Sequence, residues 1–303
     1  MTSRKSFLCA AVTVAALIMI AKAGATPIMV GPLLLDPFIP DFSSASFGNS
    51  TSITNPYYPL TPGTTHSYRG EKEEDGETIV EENDVFVTFE TRNILGVETI
   101  AVRDRAFENG LLVEETFDFY GQDDEGNVWY FGEEVTNFEY DDDGNLVGTN
   151  SDGSWIAGEN GALPGYIMLA NPTVGANYYQ EFAVADEALD QALIHDIGLS
   201  LSIDFGDFDN VLQIFETTEL DLEQLEFKYF APGIGLMFVE EELDEALEEP
   251  GFTVELVSVT RLPEPSTLAA LFTGLIFISG FIALRHRRLP LLARGRRMDS
   301  CGK

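Results

Sequence analysis

From about Ile79 onward, short apolar runs alternate with polar residues along the chain. The segments VFVTFET, ETIAVRD, LLVEETFDFY and NVWYFGEE are rich in β-branched and aromatic residues, and several alternate with the two-residue period of a half-buried strand. The same pattern returns in FDNVLQIFETTE, LEFKYFAPGIGLMFVEEE and FTVELVSVT. We therefore expect residues 67–261 to form one β-rich domain.

Turn-forming residues separate the predicted strands. These turns are Glu108-Asn109-Gly110, Asp124-Glu125-Gly126-Asn127, Asp143-Gly144-Asn145 and Asp152-Gly153. Asn, Asp and Gly tolerate the positive φ that tight hairpins need, so sequential hairpins should form an antiparallel meander. The predicted fold class is mainly β, with the meander curled as an open half-barrel or packed as a sandwich.

Two segments show helical rather than strand spacing. ADEALDQALIHD places Ala188, Ala192 and Ile194 among apolar positions at roughly helical intervals, and LDEALEE covers residues 243–249. We expect one or two short helices at these places.

The first 25 residues have the pattern of a secretory signal peptide. A basic start is followed by an apolar run and then by small residues. Ala23 and Ala25 fit the small-x-small cleavage rule, which predicts a mature N-terminus at Thr26, with cleavage after Ala23 as the alternative. Residues 26–66, rich in Pro, Ser and Thr, then form an extended leader.

A second apolar run lies near the C-terminus. Leu268 to Leu284 contains no charged residue over 17 positions, the lower limit for a membrane span. Arg285, Arg287 and Arg288 follow, and positive residues stay on the cytoplasmic side. We expect a single transmembrane helix, with the body of the protein outside the cytoplasm.

Just before this run stand Pro263, Glu264 and Pro265, and the two prolines keep the backbone extended and accessible. The order of Pro-Glu-Pro, an apolar segment and a basic cluster, at the end of an exported chain, resembles the PEP-CTERM sorting domain of exosortase substrates. The resemblance covers residues 262–288. The basic extension 289–303 departs from the family pattern, which puts processing of this tail in doubt.

This resemblance implies a destination and a partner. An exosortase-type membrane protease would recognise the precursor in the inner membrane of a Gram-negative-type bacterium. The mature protein would then reach the cell surface or the exopolysaccharide matrix. Residues 67–261 are also similar to uncharacterised bacterial extracytoplasmic proteins, through a GNVWYFGE-like hairpin and a YFAPGIGL-like late strand pair, and no known activity comes with that likeness.

The charge of the chain is concentrated in its body. Of 51 acidic residues, only Glu264 and Asp299 lie outside residues 26–262, a segment that has seven Lys and Arg. A surface this acidic repels nucleic acid and anionic lipid, so we expect no nucleic-acid partner.

Cofactor chemistry has little support in the sequence. The only cysteines are Cys9 and Cys301, so the body folds without disulfides or cysteine-bound metal. Asp141 and Asp143, with Glu139 and Gly144, fit part of an EF-hand loop, but its last ligand would be Asn150 and its flanks are predicted strands. We interpret this segment as a turn, keep calcium as a weak alternative, and expect no other cofactor.

Catalytic motifs are equally sparse. The body has two histidines, His66 in the leader and His195 beside Asp196, and no G-x-S-x-G segment. Alternation places Trp129 and Phe131 on one sheet face, which favours core packing over sugar stacking. We therefore expect a non-enzymatic surface or matrix protein. The alternatives are a binding module for a hydrophobic or carbohydrate ligand and, with less support, a polysaccharide hydrolase, which would need two carboxylates facing each other across a cleft.

Cleavage after Ala25 can be tested by intact-mass measurement of protein recovered from the producing cell. We expect a chain that begins at Thr26, because signal peptidase cuts after the small-x-small motif. A mass that retains residues 1–25 would contradict the signal-peptide interpretation.

Overall fold

The computed structural model describes residues 28–31, 33–74, 76–244 and 246–262. The predicted cleavage residues Ala23, Ala25 and Thr26 lie outside this part of the chain. So do the sorting motif, the apolar segment and the basic cluster that follow residue 262. In the part that is described, no helix is long and apolar enough to cross a membrane.

The described chain is built almost wholly from strands, with two 3-10 helices at Phe42–Ser44 and Val184–Asp186. The strands are β1 (Ile28–Val30), β2 (Leu33–Leu35), β3 (Thr64–Glu74), β4 (Glu77–Ile94), β5 (Val97–Glu108), β6 (Leu111–Gln122), β7 (Val128–Tyr140), β8 (Leu146–Asn150), β9 (Trp155–Ile156), β10 (Leu163–Met168), β11 (Asn177–Tyr179), β12 (Glu181–Phe182), β13 (Asp190–Ile203), β14 (Gly206–Thr218), β15 (Leu225–Ala231), β16 (Gly235–Glu241) and β17 (Phe252–Arg261).

Two meanders joined side by side form the main sheet. Strands β3 to β7 pair in sequence, and so do β13 to β17. Pairing of β17 with β3 joins the two meanders, while β10 and then β12 extend the sheet beyond β7. The pairings between these strands are antiparallel, which confirms the predicted mainly-β meander.

The two edges of the sheet meet at Gln180. This residue alone separates β11, which pairs with β13 at one edge, from β12, which pairs with β10 at the other. The Gln180 N–H donates to the Asp190 carbonyl at 2.8 Å. Its own carbonyl lies so close to Gly165 that a Cβ at Gly165 would be 2.2 Å away. The sheet is therefore nearly closed and barrel-like, which goes further than the predicted half-barrel.

Three of the four predicted turns lie at hairpin connections, and Asp152-Gly153 connects β8 to β9, which both pair with β7. Asn109 and Gly110 link β5 to β6 and both have positive φ, as a two-residue hairpin loop requires. Gly126 and Gly144 have positive φ in the connections that follow β6 and β7.

Both helix predictions are wrong. Residues 185–196 form the end of a 3-10 turn and then the start of β13, where Gln191, Ala192, Leu193 and Ile194 are all buried. The segment has helical spacing in sequence because both faces of this strand are covered, which removes the alternation that marks a half-buried strand. The described residues of 243–249 form a turn in which the Asp244 carboxylate accepts from the Glu248 N–H at 2.8 Å.

The leader packs against the sheet. Phe42 and Phe47 pack against Trp129 and Phe131, at ring distances between 5.6 and 5.9 Å. Trp129 and Phe131 are fully buried on one face of β7, as alternation predicted. Farther along, the leader reaches the turn between β15 and β16, where the Pro56 carbonyl accepts from the Gly233 N–H at 2.7 Å.

Gly165→Ala tests the close approach of Gly165 to Gln180 at the seam, the place where the two edges of the sheet meet. The added methyl would overlap the Gln180 carbonyl, so we expect the free energy of unfolding to fall by about 1–3 kcal/mol. Gly206→Ala is the matched control, because the nearest atoms to a Cβ there belong to Phe208 at 3.9 Å. Urea denaturation would measure both variants, and equal stability of the two would contradict the tight seam.

Candidate functional site

A cavity of about 210 Å³ lies inside the curved sheet. Apolar side chains make up much of its wall, among them Val87, Val102, Ile167, Phe230 and Leu236. Polar side chains from five strands also reach it: His66, Tyr68, Asp104, Asp118, Tyr120, Glu216 and Lys228. An apolar pocket with a few converging polar groups is the usual form of a small-ligand site.

Strand register explains why these groups meet. His66 on β3 pairs with Val85 on β4, which pairs with Asp104 on β5. One row further along, Val102 pairs with Asp118 on β6. Residues directly opposite each other point to the same face of a sheet, so both rows project into the interior.

The far wall is built on β14 and β15, around the ammonium group of Lys228. Its Nζ lies 2.7 Å from Glu216 Oε2 and 3.1 Å from Glu226 Oε1. Glu216 Oε1 also accepts from the side-chain amide of Gln180 at 3.0 Å. Although burial alone lowers the pKa of Lys228, the two carboxylates raise it well above its usual value, so the ammonium stays charged.

Two carboxyl groups on the opposite wall, Asp104 and Asp118, form no ion pair with any Lys or Arg among the described residues. Asp118 accepts a hydrogen bond from the Tyr130 hydroxyl at 2.6 Å. Oδ1 of Asp104 is buried and has no hydrogen-bond partner within the described part of the chain. A buried polar atom without a partner costs free energy, so Asp104 is the least satisfied group of the cavity.

Burial changes the protonation of both aspartates. It raises the pKa of Asp104 to about 8, and the nearby Asp118 adds to the rise while Asn83 opposes it. It raises the pKa of Asp118 to about 7, against a lowering by the hydrogen bond from Tyr130. Burial also lowers the pKa of His66, so this imidazole tends to be neutral. Both aspartates therefore change protonation near neutral pH rather than near pH 4.

More carboxyl groups line the interior near the seam. Glu133 lies on β7, Glu181 on β12 and Asp190 on β13. Burial raises the pKa of all three, and their mutual repulsion contributes to the rise for Glu181. The described residues contain no group of three or more His, Cys, Asp or Glu arranged to hold a metal ion.

The leader covers the mouth of the cavity. The Tyr58 ring packs 5.4 Å from Tyr120 and 6.3 Å from Phe230, so it spans from β6 to β15. The Tyr57 hydroxyl donates to the Asn210 carbonyl at 3.2 Å. Residues 57–60 therefore form part of the border of the cavity.

A depression of about 290 Å³ lies on the outside of the same leader, lined by residues 51–54 and 60–62. It contains no charged side chain. Because no charged groups converge there, it is a weaker candidate than the interior cavity.

The residues singled out in sequence lie apart from this cavity, except His66. Asp141 forms a turn, in which its carboxylate accepts from the N–H groups of Asp143 and Asn145. These bonds lower the pKa of Asp141, with the Asn145 N–H as the main cause. His195 contacts Gln213 Oε1 through Nδ1 at 2.8 Å, while Asp196 accepts from the backbone N–H of Ile197.

The important carboxylates were missed because acids are abundant throughout the chain. Asp118 did carry a signal, since it stands inside the run TFDFYG, where aromatic residues flank it on both sides. A charged residue at an inward position of an apolar strand is costly unless it has a role or a partner. Asp104, which stands between two arginines, had no comparable signal.

Comparisons with known proteins give little on function. No family model and no curated protein matches the chain. A Bacteroides fragilis protein described as exported, with a YmcC-like fold, is 10% identical, with 68% of this chain and 99% of that chain covered at a TM-score of 0.36. A Parabacteroides distasonis protein described as a lipoprotein is 13% identical, with 67% of this chain and 98% of that chain covered at a TM-score of 0.34. At these scores neither likeness carries an argument about this chain.

The raised pKa of Asp104 predicts a pH-dependent stability. The folded protein holds this proton up to about pH 8, whereas an unfolded aspartate loses it near pH 4. The associated stability is complete below about pH 4 and is lost as the pH rises through about 8. Asp104→Asn removes this effect, so between pH 5 and pH 8 its free energy of unfolding should fall less than that of the wild type, by on the order of 2–4 kcal/mol.

Urea denaturation at several pH values would measure this difference. Asp142→Asn, at an exposed position of the turn after β7, is the matched control and should follow the wild type. Parallel pH profiles for Asp104→Asn and the wild type would show that Asp104 is ionised in the folded protein at low pH.

Proposed function

We propose that this chain is an exported, non-enzymatic binding protein of the cell surface or matrix, and that the cavity inside its sheet holds a small ligand. The observation that carries the proposal is the convergence of Asp104, Asp118, Glu216 and Lys228 on one largely apolar space inside the sheet. Cores of ordinary domains are packed with few voids larger than a water molecule. A space of this size with charged groups in its wall is therefore unusual for a domain whose interior serves packing alone.

The size of the cavity limits the ligand. An engineered cavity of about 150 Å³ binds benzene. The present cavity, about 210 Å³, suits a molecule slightly larger than that. A membrane lipid or a polysaccharide chain would not fit, so a lipid-like or long carbohydrate ligand has less support than a small molecule.

The same geometry argues against the hydrolase alternative. A glycosidase needs its two carboxyl groups on either side of a bond in a bound sugar chain. Asp104 and Asp118 lie on neighbouring strands of one wall. Glu216 faces them from the far wall, but its carboxylate is already ion-paired with Lys228 at 2.7 Å. These positions of the carboxyl groups therefore favour ligand binding over hydrolysis.

The proposal that the protein is delivered to the cell surface is supported by the sequence alone. The signal-peptide pattern of residues 1–25 supports export, and the resemblance to PEP-CTERM tails supports sorting by an exosortase-type protease. The exopolysaccharide of a Gram-negative-type bacterium would then be the surroundings of the mature protein. The acidity of residues 26–262 suits a soluble extracellular body.

Deletion of residues 262–303 tests the delivery. We expect the truncated chain to be exported but to lose processing and surface attachment, as measured by cell fractionation and immunoblotting. Deletion of residues 289–303 alone is the matched control, because it keeps the motif and the first basic cluster. Unchanged surface delivery of the larger deletion would contradict the sorting proposal.

Occlusion of the cavity tests the binding. Val102 is 2% exposed and lines the cavity, so Val102→Phe or the milder Val102→Leu should reduce the volume open to a ligand. We would screen a set of neutral, cationic and anionic compounds of about eight non-hydrogen atoms, and we expect at least one of them to bind the wild type. This binding should weaken at least tenfold in the variants.

Val257→Phe is the matched control for occlusion, because Val257 is 48% exposed on β17, away from the cavity lining. Thermal-shift assays followed by calorimetry would compare the proteins. Failure of every compound class to bind, or equal binding by the Val102 variants, would contradict a ligand-holding cavity.

A further inference from the structure

The charges around the cavity are out of balance. Among the described residues that line it, Lys228 is the only Lys or Arg, against Asp104, Asp118 and Glu216. Lys228 is already committed to Glu216 and, just beyond the lining, to Glu226. Within the described lining, no cation is therefore left for the two aspartates.

The unpartnered oxygen of Asp104 indicates what is missing. Its Oδ1 is a buried acceptor without a donor, on a side chain that lines the cavity. Asp104 and Asp118 are diagonal neighbours on β5 and β6, since Val102 is the residue directly opposite Asp118. The Cα atoms of such a diagonal pair lie ~7–8 Å apart across the two strands. One donor-rich group placed between them can reach both carboxylates.

An ammonium group meets this requirement better than the alternatives. It has three donors and a positive charge, and a charge-assisted hydrogen bond is about twice as strong as a neutral one. A bare metal ion would leave most of the 210 Å³ empty, and the described residues offer it no cluster of ligands. An anion would be repelled by the two aspartates, and Lys228 is already paired with Glu216 and Glu226.

The rest of the wall suits the body of an organic cation. Tyr58, Tyr120 and Phe230 present aromatic rings, and Val87 and Leu236 present aliphatic groups. Aromatic faces attract cations, and the aliphatic groups favour burial of hydrocarbon. By comparison with the benzene-sized cavity, the space holds about seven to ten non-hydrogen atoms.

We propose that the cavity binds a small organic cation, a primary amine with a compact apolar body, whose ammonium group donates to Asp104 and Asp118. This inference rests on the proposed binding function and specifies the class of ligand. The amine group lies against β5 and β6, and its apolar body extends toward Tyr58 and Phe230.

Binding of this kind is linked to protons. Three charged groups act on Asp104: Asp118 and Glu114 on β6, and Lys228 on β15. Asn83 on β4 acts on it through a side-chain hydrogen bond. His66 and Tyr68 on β3 share the cavity wall. Without a ligand, burial raises the pKa of Asp104 to about 8 and that of Asp118 to about 7, so both are partly protonated near neutral pH. A bound ammonium favours the ionised carboxylates, so binding expels protons and should strengthen as the pH rises toward 8.

Three probes of similar size separate the ligand classes: benzylamine as the cation, benzyl alcohol as the neutral analogue and benzoate as the anion. We expect isothermal titration calorimetry on the purified full chain at pH 8 to show benzylamine binding at least tenfold tighter than either of the others. Between pH 6 and pH 8 its affinity should rise by about tenfold or more, since a primary amine stays protonated in this range. Titration in buffers of different ionisation enthalpy should show proton release.

Asp104→Asn and Asp118→Asn test the assigned partners. Each keeps the side-chain shape but removes the charge, and each should weaken benzylamine binding at least tenfold while benzyl alcohol binding stays within about threefold. Asp142→Asn should bind benzylamine as the wild type does. The neutral amide of Asp104→Asn is expected to stabilise the fold above pH 5, so we expect this variant to lose affinity while urea denaturation shows it folded.

The outcomes separate this inference from the proposed function. If benzyl alcohol binds as tightly as benzylamine, or if the two Asn variants bind benzylamine normally, the cation proposal is wrong and the cavity still binds small molecules. If benzoate binds most tightly, the cavity is an anion site centred on Lys228. If no probe binds at millimolar concentration, the cation proposal fails as well, and failure of the wider compound set would then overturn the binding function itself.

Discussion

The contact of Lys228 with Glu216 and Glu226 is the interaction on which the interior of this protein depends. The sheet curls so that acidic side chains of several strands point toward one another, and the Lys228 ammonium neutralises part of that charge. Removing one partner of a buried ion pair leaves an uncompensated charge, which costs about 3–5 kcal/mol. The pair also bridges β14 and β15 and, through Glu216, holds the Gln180 amide at the seam.

Closure of the sheet follows from this arrangement and from local sterics. Gln180 has its side chain fixed by Glu216, its N–H fixed by Asp190, and its carbonyl packed against Gly165. A larger residue at position 165 would push the two edges apart. The acidic interior and the tight seam are therefore parts of one structure, because Glu216 contributes to both.

The fold could be predicted from sequence where a strand or a hairpin turn is marked by its own residues. Alternation in NVWYFGEE placed Trp129 and Phe131 on one face, and Asn109-Gly110 predicted a two-residue hairpin. The prediction failed at β13, since Gln191 to Ile194 are buried on both faces and lose the two-residue period. Closure of the sheet could not be predicted, because it depends on contacts such as that of Gly165 with Gln180, which no local pattern encodes.

The candidate site was hidden for a different reason. Its carboxylates belong to a chain with 51 acidic residues, so residue type alone could not select Asp104 or Asp118. What distinguishes them is an environment that only the register of β4, β5 and β6 creates. His66 was assigned to the leader in sequence, yet it faces the cavity from β3, because this strand begins at Thr64, before the boundary that composition indicated.

The side chain that lowers the stability of the fold is also the one best suited to hold a ligand. Asp104 has a buried oxygen without a partner, and ionising it inside the sheet costs free energy. Selection for stability alone would favour Asn at this position, since the shape would be kept and the charge removed. A cation in the cavity reverses this balance, because it supplies both the missing donor and the missing charge. Ligand binding and folding would then reinforce each other through one carboxylate.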